Sequence, residues 1–290
     1  MMLPVPESSP RKDMGEEDGV IVAGRRTAAS TVCPAASAAF AASGNYIMRS
    51  GADYMMIRCA RVNFGGVSCH NHNDALSFVL QAGGHDFIID PGTFSYTSYS
   101  ELRNAFRSTA AHNVLQVLGQ EQNDFGKSVF DYAADRAKAK CLEWQSSEDA
   151  DLFLGEHRGF RSGKDELICT RRIEFEKTLR QWIIEDSLRL APERGSRKKS
   201  KEPKASLPPF EWRFHLHPDV TLVDQSEPAR IILENRGVRL QLDVQMEEPT
   251  VRLEDGWVSN RYGSKQPASV LCIRSAVQGI DGGGFIWSCL

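Results

Sequence analysis

The sequence has no apolar run long enough to cross a bilayer, so no membrane span is expected. Its start, MMLPVPESSPRKDMGEEDG, lacks the basic start and unbroken apolar core of a secretory signal; taken literally, the chain stays in the cytoplasm. Excess charge of either sign is small. A formal net charge of −3 over 290 residues gives no general attraction for nucleic acid or an anionic membrane, so any polyanion contact must be local. Cysteine offers no framework either. Seven residues (Cys33, Cys59, Cys69, Cys141, Cys169, Cys272 and Cys289) are an odd number without CxxC spacing, which argues against a complete disulfide set and a thiolate zinc site. They read as reduced and structural. No repeat of fixed period is present, and sustained 3.6-residue periodicity is nearly absent.

What is present is a 41% apolar composition, enough for a core, arranged in short β-rich segments punctuated by Gly, Asn, Asp and Pro. These are NYIMRS, DYMMIRCARVN, ALSFVLQAGG, HDFIID and NVLQVLG, followed by residues 136–145, 151–157, 167–176, 179–189, 211–217, 229–234, 237–245, 249–253 and 269–275. The pattern predicts an all-β protein, an antiparallel β-sandwich spanning 43–290, behind a flexible, disordered or partly helical tail over 1–42. Two stretches interrupt it. Residues 96–111 have the composition of a helical turn or structured loop, and 193–206 carry six basic residues against two acidic ones, a pattern expected of a solvated hairpin loop.

Chemistry concentrates in one region: His70-Asn71-His72-Asn73-Asp74, then Asp90-Pro91-Gly92, then Ala110-Ala111-His112-Asn113. If residues 74–80 continue as a strand, alternation places His70, His72 and Asp74 on one face with Leu76, Phe78 and Leu80. His72, Asp90 and His112 offer the imidazole and carboxylate donors that zinc and similar ions take; the alternative is a set of hydrogen-bonded core histidines. His70, beside them, can carry a proton near neutral pH. Asn71, Asn73 and Asn113 can hold a substrate carboxylate or a ligating side chain, or can equally serve turns and strand edges. Arg103 and Arg107, four apart, share a side of any helical turn and suit an acidic sugar through bidentate forks, unless they form structural salt bridges. Tyr96 and Tyr99 can stack on a sugar, donate protons or fill core space.

The run GGVSCHNHNDALSFVLQAGGHDFIIDPGTFSYTSYSELRNAFRSTAAHNVLQVLGQEQ resembles the heparinase II/III family of polysaccharide lyases, in its C-terminal β-sandwich domain. The likeness extends from SGNYIMRSGADYMMIRC through EWRFHLHPDV to GWVSNRYGSK. It implies that His72, Asp90 and His112 hold a divalent metal, usually zinc, in a mainly structural role, and that His70 faces the cleft as the catalytic charge neutraliser or proton carrier. Beside these, residue type and spacing make Asn71, Tyr96, Arg103, Arg107 and Asn113 the expected substrate contacts. The implied reaction is β-elimination on uronate-containing polysaccharides such as heparin, heparan sulfate or alginate, in the periplasm, the cell envelope or outside the cell. The implied partners are the acidic polysaccharide and an N-terminal (α/α) toroid of several hundred residues that forms the opposite cleft wall and carries the proposed tyrosine acid or base.

Only residues 1–42 stand where that toroid belongs, so the chain is expected to be a truncated product, a mis-called start or one piece of a split enzyme, of low or no activity alone. The alternative function is a non-catalytic, metal-stapled carbohydrate-binding or structural module. The HxHxD spacing is also part of a metallo-β-lactamase-like signature, but that pattern needs a histidine where Ala75 stands, and its fold needs alternating helices that the sequence lacks.

Overall fold

Period-two alternation decides most of the architecture. In a computed structural model describing residues 36–62, 70–126, 132, 134–192, 206–277 and 281–290, strands run in the order β1 (Ala38–Phe40), β2 (Asn45–Ser50), β3 (Asp53–Arg58), β4 (Phe78–Ala82) and β5 (His85–Ile88). A helix, α1 (Ser100–Arg107), and a 3₁₀ turn over Thr109–Ala111 follow, then β6 (Leu115–Val117), β7 (Lys140–Ser146), β8 (Ala150–Ser162), β9 (Asp165–Glu176) and β10 (Gln181–Leu190). The remaining strands are β11 (Phe210–His215), β12 (Thr221–Glu227), β13 (Arg230–Asn235), β14 (Val238–Gln245), β15 (Pro249–Arg261), β16 (Ser264–Ser275) and β17 (Gly282–Cys289). No helix among the described residues is long and apolar enough to cross a membrane.

The expected antiparallel β-sandwich class is the one found. Three antiparallel sheets form, of order β1-β2-β3-β4-β5, β12-β13-β14-β17-β10-β9-β8-β7 and β15-β16-β11-β6. Their inward faces meet at Phe214 on β11, whose ring lies 5.9 Å from Phe78 of β4, 5.2 Å from Phe285 and 5.4 Å from Trp287 of β17. One side chain from each sheet therefore closes a shared apolar core with Leu80, Ile173, Trp182 and Leu242.

Differences from the sequence expectation have local causes. β1 lies inside the stretch read as tail and pairs with β2, Ala39 opposite Tyr46; residues 1–35 of that stretch fall outside the described residues, as do 193–205 of the basic loop. β12 escapes a pattern search because all seven of its residues are exposed. β17 escapes because it opens Gly-Gly-Gly, a composition that strands disfavour. Glycine is required there: a Cβ on Gly282 would lie 2.1 Å from the Asp186 carbonyl oxygen. The strand expected over 74–80 begins only at Phe78. Leu76 sits at φ 65°, Ser77 N–H turns back to the Asp74 carbonyl (2.9 Å), and alternation does not extend to His70. The five described cysteines, Cys59, Cys141, Cys169, Cys272 and Cys289, are free.

Candidate functional site

Three loops bring the candidate metal-ligating residues together. His72 stands in the turn before β4, Asp90 follows β5, and His112 follows the 3₁₀ turn; one donor atom from each lies within 4.8 Å of the others. The His72 and His112 rings are 5.2 Å apart, and His112 Nδ1 is 3.1 Å from Asp90 Oδ2. His112 is fully buried and its Nε2 has no hydrogen-bond partner, while the Asp90 side chain remains 45% exposed. The group thus opens toward solvent on its carboxylate side.

Two of its three groups, His72 and Asp90, hold the protonation state that a cation needs. Burial, reinforced by His112, Arg103 and Arg107 against the opposing pull of Asp90, pushes the His72 imidazole down to about 3, so it is neutral. Burial would raise the Asp90 carboxyl, but the hydrogen bond from His112 and the His112 charge hold it at about 2. His112 is burdened by burial yet raised overall by Asp90. A metal needs neutral imidazole and ionised carboxylate, and a His-Asp-His donor set fits a divalent ion of the zinc type with a fourth position left over.

A buried polar frame fixes these loops. Asn73 donates from Nδ2 to Glu121 Oε2 (2.7 Å) and the Asn123 carbonyl (2.9 Å), and its Oδ1 accepts from Asn123 N–H (3.1 Å). Glu121 also accepts from Thr109 N–H and hydroxyl, at 2.7 and 2.8 Å, which anchors the 3₁₀ turn that delivers His112. Gln122 pairs with both backbone groups of Ala75. From the large sheet, Arg171 forks onto Asp186 at 2.7 and 2.6 Å and donates from Nη1 to the carbonyls of Leu76 (2.6 Å) and Asn113 (2.7 Å). One guanidinium therefore ties the segments that follow both histidine ligands to β9. Apart from Asn73, sequence reasoning missed these residues. The available signal was an arginine at an inward position of an alternating strand, in phase with Cys169, Ile173 and Phe175.

The expected site residues divide into two groups. His70 is exposed, with its ring edge-on to Tyr96 at 5.5 Å, and lies outside the ligating group. Tyr96 in turn stacks on Tyr262 at 6.1 Å, and Asn71 is half-buried, its carbonyl accepting from the Tyr132 hydroxyl (2.9 Å). Asn113 departs from its expected substrate-binding place. It is fully buried, donating to the carbonyls of Phe78 (2.7 Å) and Ile89 (2.9 Å) and accepting from His215 N–H (2.7 Å), so its amide is spent on joining β4, β5 and β11. Arg103 and Arg107 do share the inward side of α1, but they are 2% and 1% exposed. Arg107 sits over the rings of Phe125 (4.6 Å) and Tyr132 (4.4 Å). Neither guanidinium reaches the surface as the expected carboxylate fork; their charges add a small part to the burial that keeps His72 neutral.

The sequence profile of one protein family, described as Heparinase II/III-like, C-terminal, matches residues 33–282. Among solved structures, heparan sulfate lyase HepC from Pedobacter heparinus is similar with a TM-score of 0.68 at 17% identity, covering 88% of this chain and 36% of that one. A heparinase III gene product aligns with a TM-score of 0.66 at 15% identity over 88% of this chain and 36% of its own. Another heparinase III structure gives 0.62 at 18% identity over 86% and 35%. At such identities the likeness is one of fold, and the chain spans little more than a third of the length of these neighbours. No curated protein matches it.

Proposed function

Because the chain belongs to the heparinase II/III-like C-terminal family, we propose that it serves as the β-sandwich domain of a polysaccharide lyase acting on uronate-containing polymers. The observation that carries this reading is the convergence of His72, Asp90 and His112 beside an exposed, non-ligating His70. In β-elimination a base takes the C5 proton of a uronate whose carboxylate has been neutralised. The C5–H electron pair becomes the C4=C5 double bond, and the C4–O bond breaks with its oxygen taking up a proton. His70 is the group of this chain suited to neutralise the carboxylate or move that proton at the sugar surface. Tyr96 orients the His70 ring, with Asn71 next to it in sequence.

His72, Asp90 and His112 would hold a divalent ion, with zinc the metal their donors suit, and the ion would supply a fixed charge tying three loops beneath that surface. The opposite wall of the cleft would be an (α/α) toroid, in the same polypeptide or a separate one. A single wall orients the reacting groups poorly, so the domain alone should turn over slowly. The same reading places the enzyme where extracellular polymers arrive, in the periplasm or outside the cell.

The test is to incubate the chain with heparin, heparan sulfate and alginate and follow ultraviolet absorbance of the unsaturated uronate. Slow product formation lost in His70→Ala, with metal content unchanged, supports the reading; products without the double bond would overturn it. A second reading, a metal-stapled carbohydrate-binding module, is favoured by the burial of Asn113, Arg103 and Arg107, which leaves few polar groups to work on a bound sugar. It requires polymer affinity without turnover.

A further inference from the structure

β15 and β16 are longer than their sheet needs. They pair from Pro249–Ser275 out to Arg261–Ser264, yet β11 supports β16 only over Val270–Ile273. The outer part is a two-stranded ribbon, and such ribbons are marginal in water unless something holds them. The Asp90 loop does so. Gly92 bridges to Ser259, Ser259 N–H donates to the Pro91 carbonyl (2.8 Å), and Gly263 N–H donates to the Phe94 carbonyl (2.7 Å). The approach is so close that a Cβ on Gly92, at φ 80°, would lie 2.3 Å from the Ser259 oxygen, which makes glycine obligatory in the Asp90-Pro91-Gly92 run.

This ribbon tip displays aromatic surface that contributes nothing to the core. Trp257 is 47% exposed and Tyr262 63% exposed. Lys265 Nζ stands 4.0 Å from the Trp257 ring centroid, and neither Lys265 nor Arg261 forms an ion pair among the described residues. Tyr262, in the turn that joins the two strands, stacks on Tyr96, whose ring meets His70, so the turn of the ribbon adjoins the exposed histidine. An exposed ring beside a lysine without a carboxylate partner suits a sugar ring carrying its own carboxylate.

We propose that the β15–β16 tip is a uronate-binding subsite, with Trp257 and Tyr262 as stacking faces and Lys265 as the carboxylate contact, placed next to His70 by the Asp90 loop. The inference rests on the lyase-domain reading, and it adds which residues grip sugar away from the reacting bond. Because the tip is hydrogen-bonded to the loop that carries Asp90, sugar seated there and the ligating group keep a fixed spacing.

The test measures binding of alginate oligosaccharides to the full chain by calorimetry, with heparin oligosaccharides, neutral dextran and dextran sulfate as comparison arms. Trp257→Ala and Lys265→Gln should each weaken alginate binding about tenfold, while Lys265→Arg keeps most of it and the unfolding temperature and metal content of every variant stay at wild-type values. Unchanged affinity in both loss variants would overturn the subsite and leave the lyase-domain reading intact. Dextran sulfate bound as tightly as alginate and lost in parallel would also overturn it, since the patch would then be an ion exchanger. A wild-type chain that binds neither alginate nor heparin would overturn the subsite and the parent reading together.

Discussion

In the eight-stranded sheet, position is set by apolar burial: Phe175, Trp182, Leu240 and Phe285 point inward at every second residue and are wholly buried. In the loops carrying His72, Asp90 and His112, position is set by amides, carboxylates and one guanidinium bonded to backbone groups far away in sequence. The two regions use different currencies of order. Apolar burial is non-directional and tolerates repacking, whereas a hydrogen-bonded frame holds atoms to a few tenths of an ångström and fails when one partner is removed. A ligand set needs the second kind, and Arg171, which belongs to both regions, couples them.

That coupling is the place to break the comparison hardest. Arg171→Met leaves Asp186 buried without its partner and strips hydrogen bonds from Leu76 and Asn113, so it should cost about 3–5 kcal/mol in denaturant unfolding. The double variant Arg171→Met with Asp186→Leu should recover part of that loss. Phe214→Ala, on the apolar side of the comparison, should cost a similar 3–5 kcal/mol or slightly less, but should leave metal content at wild-type stoichiometry in the folded fraction. Asn73→Ala removes only the polar frame beneath His72. It should cost about 1–3 kcal/mol and weaken metal retention in a chelator competition more than Phe214→Ala does.

Protonation gives a smaller and graded contrast. His157 on β8 is buried in the large sheet, where burial and then the nearby Arg171 charge push it down to about 3. Its ordinary value is near 6.5, so between those values the unfolded chain binds a proton that the folded chain refuses. Stability is therefore unaffected by this group above about pH 6.5 and falls as pH drops toward 3. His157→Gln should flatten the acid limb of stability against pH by about 1 kcal/mol per pH unit, read from urea unfolding at a series of pH values. At the small end, Val223→Lys on the fully exposed β12 should shift stability by no more than about 0.5 kcal/mol.

The same contrast explains what the sequence disclosed. Alternating strands such as β9, β10 and β14 announce themselves through period-two burial, and α1 is legible as the segment where that pattern stops. The candidate ligand trio is legible by residue type, as imidazole and carboxylate donors beside asparagines, although the same residues could equally have been hydrogen-bonded core histidines. Strand β17 is not, since its glycines answer a close approach by β10 that no local pattern encodes. Nor is the fate of Asn113, which looks like a site residue beside His112 but bonds backbone groups at 78, 89 and 215. Arg103 and Arg107 share the helix side that their spacing suggests, yet that side faces inward. Sequence spacing gave their common direction, and only the surrounding elements determine whether it leads to solvent or to the interior.

The most direct measurement is metal content of the purified chain after zinc loading and desalting, compared with His72→Ala and His112→Ala. The account predicts one divalent ion per wild-type chain and loss of that ion in both variants, while His70→Ala retains it. Equal metal in wild type and both ligand variants, or none in a folded wild-type chain, would contradict the claim that His72, Asp90 and His112 form one site.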